Sequence, residues 1–313
     1  MSNGSGGDIT FGLVIYPTPR GLSEEDMATP TRAAQALVEA NEQHIRAGKP
    51  HFDTVWVEDH FQWGDRPTLE AITTLTYLAG RHEGMRFGHI VLGQSYRNPA
   101  LTAKMAANLQ VLTKGNFILG IGAGWKEDEY RAYGYPYPSA GTRIAELEEA
   151  VQIIRAMWMQ SPASFKGEHY QVENAECQPQ PDPPIPLLIA GGGEKKTLRV
   201  VAKYADWWNL NICTAEEYAH KQDVLRGHCR DVGRDSDEIT HTYYGFVSLV
   251  DDPSKAEKRD NLHIVGGTPD MVTRELEEFV RLGVKHFQLR ILDFPKLDGL
   301  QTFIEKVVPR LKG

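Results

Sequence analysis

Short apolar runs alternate with amphipathic stretches from one end of the chain to the other. The apolar runs fall at 9–15, 53–58, 85–92, 116–121, 187–190, 206–212, 239–250 and 286–292. Runs of this length, bounded by glycine, proline or polar positions, predict buried strands. Between them, apolar residues recur every three or four positions. Leu101, Met105, Leu109 and Leu112 share one face, as do Ile144, Leu147, Val151, Ile154 and Trp158. That is the spacing of a helix with one side buried. Proline and glycine punctuate the pattern: Gly48 and Pro50 close a helix that starts near Thr31, Pro67 opens one over 68–81, and Pro99 opens the next. Each proline stands where its missing N–H costs no helical bond. Further helices are predicted from Glu194 and over 215–232, 268–282 and 297–311.

Eight strands alternating with eight helices predict a parallel sheet with right-handed crossovers, and eight units of this length predict a closed (β/α)8 TIM barrel. A doubly wound open sheet is the alternative. One domain is expected over 9–313, with a disordered N-terminal segment over 1–8. Residues 161–184 interrupt the alternation with a hairpin and a proline-rich run. They predict an insertion after the fourth βα unit. Residues 251–260 read as a charged, solvated connection.

Composition narrows the function classes. The 313 residues carry a formal net charge of −8, with no compensating basic stretch. This argues against nucleic acid or an anionic membrane as partner. Cys177, Cys213 and Cys229 are odd in number and far apart, with no metal-binding spacing, so neither disulfides nor a metal is expected. No apolar run approaches membrane-spanning length, and a cytoplasmic protein is expected.

In a barrel, chemistry collects at the C-terminal strand ends. The fifth strand runs into Gly191, Gly192 and Gly193 and then into a helix carrying Lys195, Lys196 and Thr197 in its first turn. Backbone N–H groups at such a turn can cradle an anion. The second strand ends in Glu58-Asp59-His60. His60 is the acid/base candidate, with Asp59 to set its tautomer or replace it. Gly120-Ile121-Gly122-Ala123-Gly124 has the wrong spacing for a dinucleotide fingerprint, but it would let a flat ring approach the backbone. Trp207-Trp208 reads as packing. Glu127, Asp128 and Glu129 read as a solvated face. Asn209, Asn211 and Arg290 also fall at strand ends.

TVWVEDHFQW at 54–63, the stretch from MRFGHIVLGQ at 85 to EEAVQIIRAMW at 158, PPIPLLIAGGGEKKTLRVVAKYADWWN at 183–209 and VGGTPDMVTRELEEFVRLGVKHFQLRILDFP at 265–295 are together similar to the bacterial luciferase-like monooxygenase superfamily. The Glu58-Asp59-His60-Phe61 run resembles its deazaflavin (coenzyme F420)-dependent branch, since flavin users often carry Glu-His-His there. The resemblance implies a homodimer and a cofactor ring lying against Asp59, Ile90, Val91, Gly122 and Gly124. It places the cofactor phosphate at Gly191–Gly193 with Lys196 beside it, and a non-prolyl cis peptide at Ile90–Val91. Gln94-Ser95 depart from the hydrophobic residue and proline common there. The activity implied is hydride transfer between F420 and a small organic substrate, with His60 and Asp59 handling the proton. The alternatives are an FMN-dependent monooxygenase using reduced flavin, and a cofactor-binding protein without turnover.

Overall fold

The computed structural model describes residues 9–312. The expectation for residues 1–8 lies outside them. The chain begins with β1 (Thr10–Val14), α1 (Pro30–Gly48), β2 (Thr54–Val57), α2 (Ala71–Arg81), β3 (Arg86–His89), β4 (Leu92–Gly93), α3 (Pro99–Leu112) and β5 (Phe117–Gly122). After α4 (Glu127–Ala132) and α5 (Ala140–Met159) comes an antiparallel hairpin, β6 (Ala163–Lys166) with β7 (Gln171–Ala175). Then follow β8 (Leu187–Ala190), α6 (Thr197–Tyr204), β9 (Trp207–Asn211), α7 (Ala215–Val232), β10 (Thr240–Leu249) and β11 (Ile264–Gly267). The last elements are α8 (Pro269–Arg281), β12 (His286–Ile291), α9 (Asp298–Thr302) and α10 (Val308–Lys312), with a π-helical stretch at Phe303–Val307 between the final two.

Strand pairing runs β12–β1–β2–β3–β5–β8–β9–β10 and closes from β10 back onto β12, all parallel. Closure makes this a TIM barrel and excludes the open doubly wound sheet. The third strand is broken rather than continuous over 85–92: β3 stops at His89, and β4 resumes pairing with β5 at Leu92 opposite Ile121. β11 was not foreseen. It pairs with Phe246–Leu249 of β10, beyond the stretch that β9 covers, and so extends the wall at the mouth.

Alternating side chains divide the core. Val55 and Val57 point out to the layer between sheet and helices, while Trp56 points into the barrel with Val14, Ile118 and Leu188. Trp56 Nε1 donates to His286 Nε2 at 3.0 Å, which anchors the barrel interior. The helices start where their caps dictate. Thr29 accepts from the Arg32 N–H ahead of Pro30, and Asn98 from the Ala100 N–H ahead of Pro99. No helix among the described residues is long and apolar enough to cross a membrane.

Candidate active site

The C-terminal strand ends surround a cavity of about 710 Å3. Its wall includes Asp59 and His60 after β2, Ile90, Val91 and Gly93 of the broken third strand, and Gly122 and Gly124 after β5. Gly191, Gly192 and Gly193 after β8 and Asn209, Asn211, Tyr244 and Arg290 also line it. Of the expected site residues, only Lys196 is missing from the wall. It is exposed, and its ammonium lies 3.3 Å from where a Cβ on Gly141 would stand, at the start of α5. The helix it was expected to open at Glu194 begins instead at Thr197, because 194–196 form a turn.

His60 is 9% exposed, and Trp63 and Trp125 flank its ring at centroid distances of 4.6 and 5.9 Å. Its Nδ1 lies 3.0 Å from Glu129 Oε2. The orienting carboxylate is therefore Glu129 and not Asp59, which corrects the sequence expectation. Glu129 also corrects the solvated-face reading, since it is fully buried. Its Oε1 accepts from the Phe61 and Gln62 N–H groups at 2.6 and 2.9 Å, and Oε2 also accepts from Tyr96 OH at 3.1 Å. Burial raises the Glu129 pKa, but the bonds from His60 and from the Gln62 and Phe61 N–H groups outweigh that and hold it below its ordinary value. A carboxylate that stays charged beside Nδ1 favours the tautomer with the proton there, leaving Nε2 as the nitrogen free to exchange a proton with a ligand.

Asp59 has a different task. Its buried carboxylate takes a bidentate pair from Arg97 at 2.8 and 2.9 Å and the Gly93 N–H at 2.9 Å. Arg97 also reaches Glu70 at 2.6 Å, the residue that caps α2. Three of the acceptor positions of Asp59 are thus spent on joining β2 to the broken third strand, which makes it a structural tie there rather than the partner of His60. The peptide between Ile90 and Val91 is cis. β5 comes so close here that a Cβ on Gly120 would stand 1.9 Å from the His89 carbonyl oxygen, so only glycine fits.

The segment that follows β5 carries Tyr130, Tyr133, Tyr135 and Tyr137. It contains α4, and its rings lock that helix against the end of β2. Phe61 packs on Tyr96 and Tyr133 at 4.5 and 4.7 Å, and Tyr135 OH donates to the Tyr96 carbonyl at 3.0 Å. Across the cavity, Glu58 pairs with Arg290 at 2.9 Å and accepts from Tyr244 OH at 2.8 Å. Tyr16 also lines this wall, its hydroxyl pushed up to about 12 by burial against the lowering effect of Arg290.

The family model described as luciferase-like monooxygenase matches residues 18–278. The chain belongs to the luciferase-like monooxygenase family. It is 35% identical to the F420-dependent glucose-6-phosphate dehydrogenase of Intrasporangium calvum, over 86% of this chain and 93% of that one. Identity to the enzyme of the same description from Amycolatopsis mediterranei is also 35%, over 52% of this chain and about half, 49%, of the relative. In backbone the chain is similar to an F420-dependent secondary alcohol dehydrogenase in complex with an F420–acetone adduct. That likeness has a TM-score of 0.82 at 20% identity and covers 98% of this chain and 100% of the other.

In this luciferase-like protein the turn after β8 leaves backbone donors unpaired beside the cavity. Gly191 sits at φ +131°, a conformation that side-chain-bearing residues rarely adopt. Among the described residues no acceptor takes the Gly192 or Gly193 N–H. The N-terminus of α6 lacks a side-chain cap, although its Leu198 N–H is taken by the Gly193 carbonyl at 3.0 Å. Ile90, Val91, Gly122 and Ala123 line the adjoining wall.

Proposed function

We propose that this chain is an F420-dependent oxidoreductase that moves hydride between the deazaflavin and a small organic substrate carrying an alcohol or carbonyl. The observation that carries it is the buried His60–Glu129 pair, set on the same cavity wall as an open glycine turn. The deazaflavin supplies the two-electron chemistry when bound. Gly191–Gly193 and the α6 N-terminus would hold its phosphate, and Ile90, Val91, Gly122 and Gly124 would back its ring. His60 Nε2 takes the hydroxyl proton of an alcohol as hydride leaves, or returns it in the reverse direction. Glu129 stabilises the imidazolium formed between those events. Trp63 and Trp125 narrow the space around the imidazole and limit water there.

The relatives named as glucose-6-phosphate dehydrogenases make glucose 6-phosphate the first substrate to test, with secondary alcohols next. Parallel titration of the purified protein with F420 and FMN checks the cofactor. Saturable binding of F420 at a concentration where FMN does not bind supports the proposal, and preference for FMN redirects it to a flavin monooxygenase.

A further inference from the structure

Three arginines are withdrawn from water at or beside the cavity wall, and two of them are neutralised within the fold. Arg97 is held by Asp59 and Glu70, and Arg290 by Glu58. The third, Arg143 in the first turn of α5, is 8% exposed and lines the cavity, yet among the described residues no carboxylate pairs with it. Its Nη1 donates to the Pro138 carbonyl, its guanidinium stacks 4.1 Å above the Tyr137 ring, and its Nε is buried without a partner. A guanidinium cannot shed its proton, so burying it without a counter-ion is unfavourable. Stacking and the single carbonyl bond fix the orientation of the group and leave its charge unanswered.

The surroundings say what would answer it. Ala140 and Ile144, on the same helix, line the same cavity. Lys196, just past the glycine turn, brings its ammonium against Gly141. The first turn of α5 is therefore reached by a side chain from the segment that directly follows the turn with open N–H groups. Planar guanidinium donors fit the paired oxygens of a phosphate. We propose that Arg143 is the fixed cation of a phosphate-class subsite in the cavity. The subsite takes a phosphate or phosphodiester group of the cofactor or of the substrate, an assignment that rests on the oxidoreductase reading for the identity of the ligand but not for the existence of the site.

The test compares wild type, Arg143→Gln, Arg143→Lys and Arg97→Gln. Inorganic phosphate should raise the unfolding temperature of the wild type and of Arg143→Lys, but not that of Arg143→Gln. Without phosphate, Arg143→Gln should unfold at or above the wild-type temperature, because it removes an uncompensated charge, whereas Arg97→Gln should unfold lower. F420 and the deazaflavin riboside lacking the phosphate identify the source. If the cofactor supplies the group, Arg143→Gln weakens F420 binding at least tenfold and changes riboside binding less than twofold. If the substrate supplies it, F420 binding is unchanged while the response to inorganic phosphate is lost. A wild type that responds to phosphate but binds no F420 removes the cofactor reading and keeps the subsite. A phosphate response equal in wild type and Arg143→Gln, or an Arg143→Gln chain destabilised like Arg97→Gln, overturns the proposal.

Discussion

At the β2 side of the cavity each buried charge is answered from within the chain; at the β8 side it is not. Asp59 is matched by Arg97, Arg97 by Glu70, and His60 by Glu129. Around the glycine turn, among the described residues, two backbone N–H groups lack an acceptor, the α6 end has no side-chain cap, and the Arg143 guanidinium has no carboxylate. Saturated groups hold their neighbours in place, because moving any one of them leaves another unpaired in a dry interior. Unsaturated donors wait for a ligand. The first side is therefore built to position a proton-transfer group, and the second to bind an anion. Substitutions on the two sides should separate stability and turnover from affinity.

The largest effect is expected at Glu129. Leucine there would leave His60 and two backbone N–H groups without their acceptor. Loss of one partner from a buried charged network costs about 3–5 kcal/mol. Urea unfolding should show a loss of that order for Glu129→Leu, and a loss under about 1 kcal/mol would break the comparison. The pH dependence has a defined sign. The folded carboxyl lies below its ordinary value of 4.5, so its contribution to stability is complete above that pH and is lost as pH falls through the lowered value. Glu129→Gln should lack this acid limb.

The next effect is at His60, where chemistry and binding come apart. Removing one general acid–base group lowers turnover by roughly 10²–10⁴. His60→Ala should do so, lose one limb of the pH–rate profile, and leave F420 affinity nearly unchanged, since the phosphate turn lies on β8. Wild-type turnover with an unchanged profile would move the role to another residue. On the opposite side, Gly191→Ala forces a side chain into the φ +131° conformation and against Thr197 Cγ2 at 2.9 Å. Strain of this kind costs about 1–3 kcal/mol, so F420 affinity should fall about tenfold, with turnover at saturation little changed. Equal affinities in a folded variant would remove the turn from the binding site.

What the sequence made legible follows the same division. The eight barrel strands and the principal helices could be read because their signal is local periodicity, and the glycine turn because backbone demands show in residue type. Glu129 could not. Three consecutive acids look solvated, and the N–H groups that bury the third belong to Phe61 and Gln62, 68 and 67 residues away. Asp59 next to His60 suggested a pair by adjacency, but neighbours along an extended segment point apart, and the partner came from α4. Arg143 sits among ordinary helix residues, and only its lack of a carboxylate sets it apart, which no spacing reveals. β11 was hidden by the charged segment before it.

The smallest effect is expected at Lys196, and it shows where the anion site ends. Sequence order places this lysine in the first turn after the glycines, where it reads as a phosphate ligand. The structure leaves it exposed beside Gly141, outside the cavity wall. A solvated ammonium acts on a bound anion through water, where a pair of charges at contact is worth about 1 kcal/mol or less and salt screens it within about 10 Å. Arg143, held out of water on the wall, acts through a medium that screens far less. Lys196→Ala should therefore weaken F420 binding less than about fivefold, and the difference should vanish near 0.5 M salt, whereas a loss at Arg143→Gln should persist there. Binding titrations of both variants at low and high salt make the comparison. A tenfold, salt-resistant loss at Lys196 would mean that the side chain swings in over the phosphate when the cofactor is bound, so that the anion site extends past the wall to the rim.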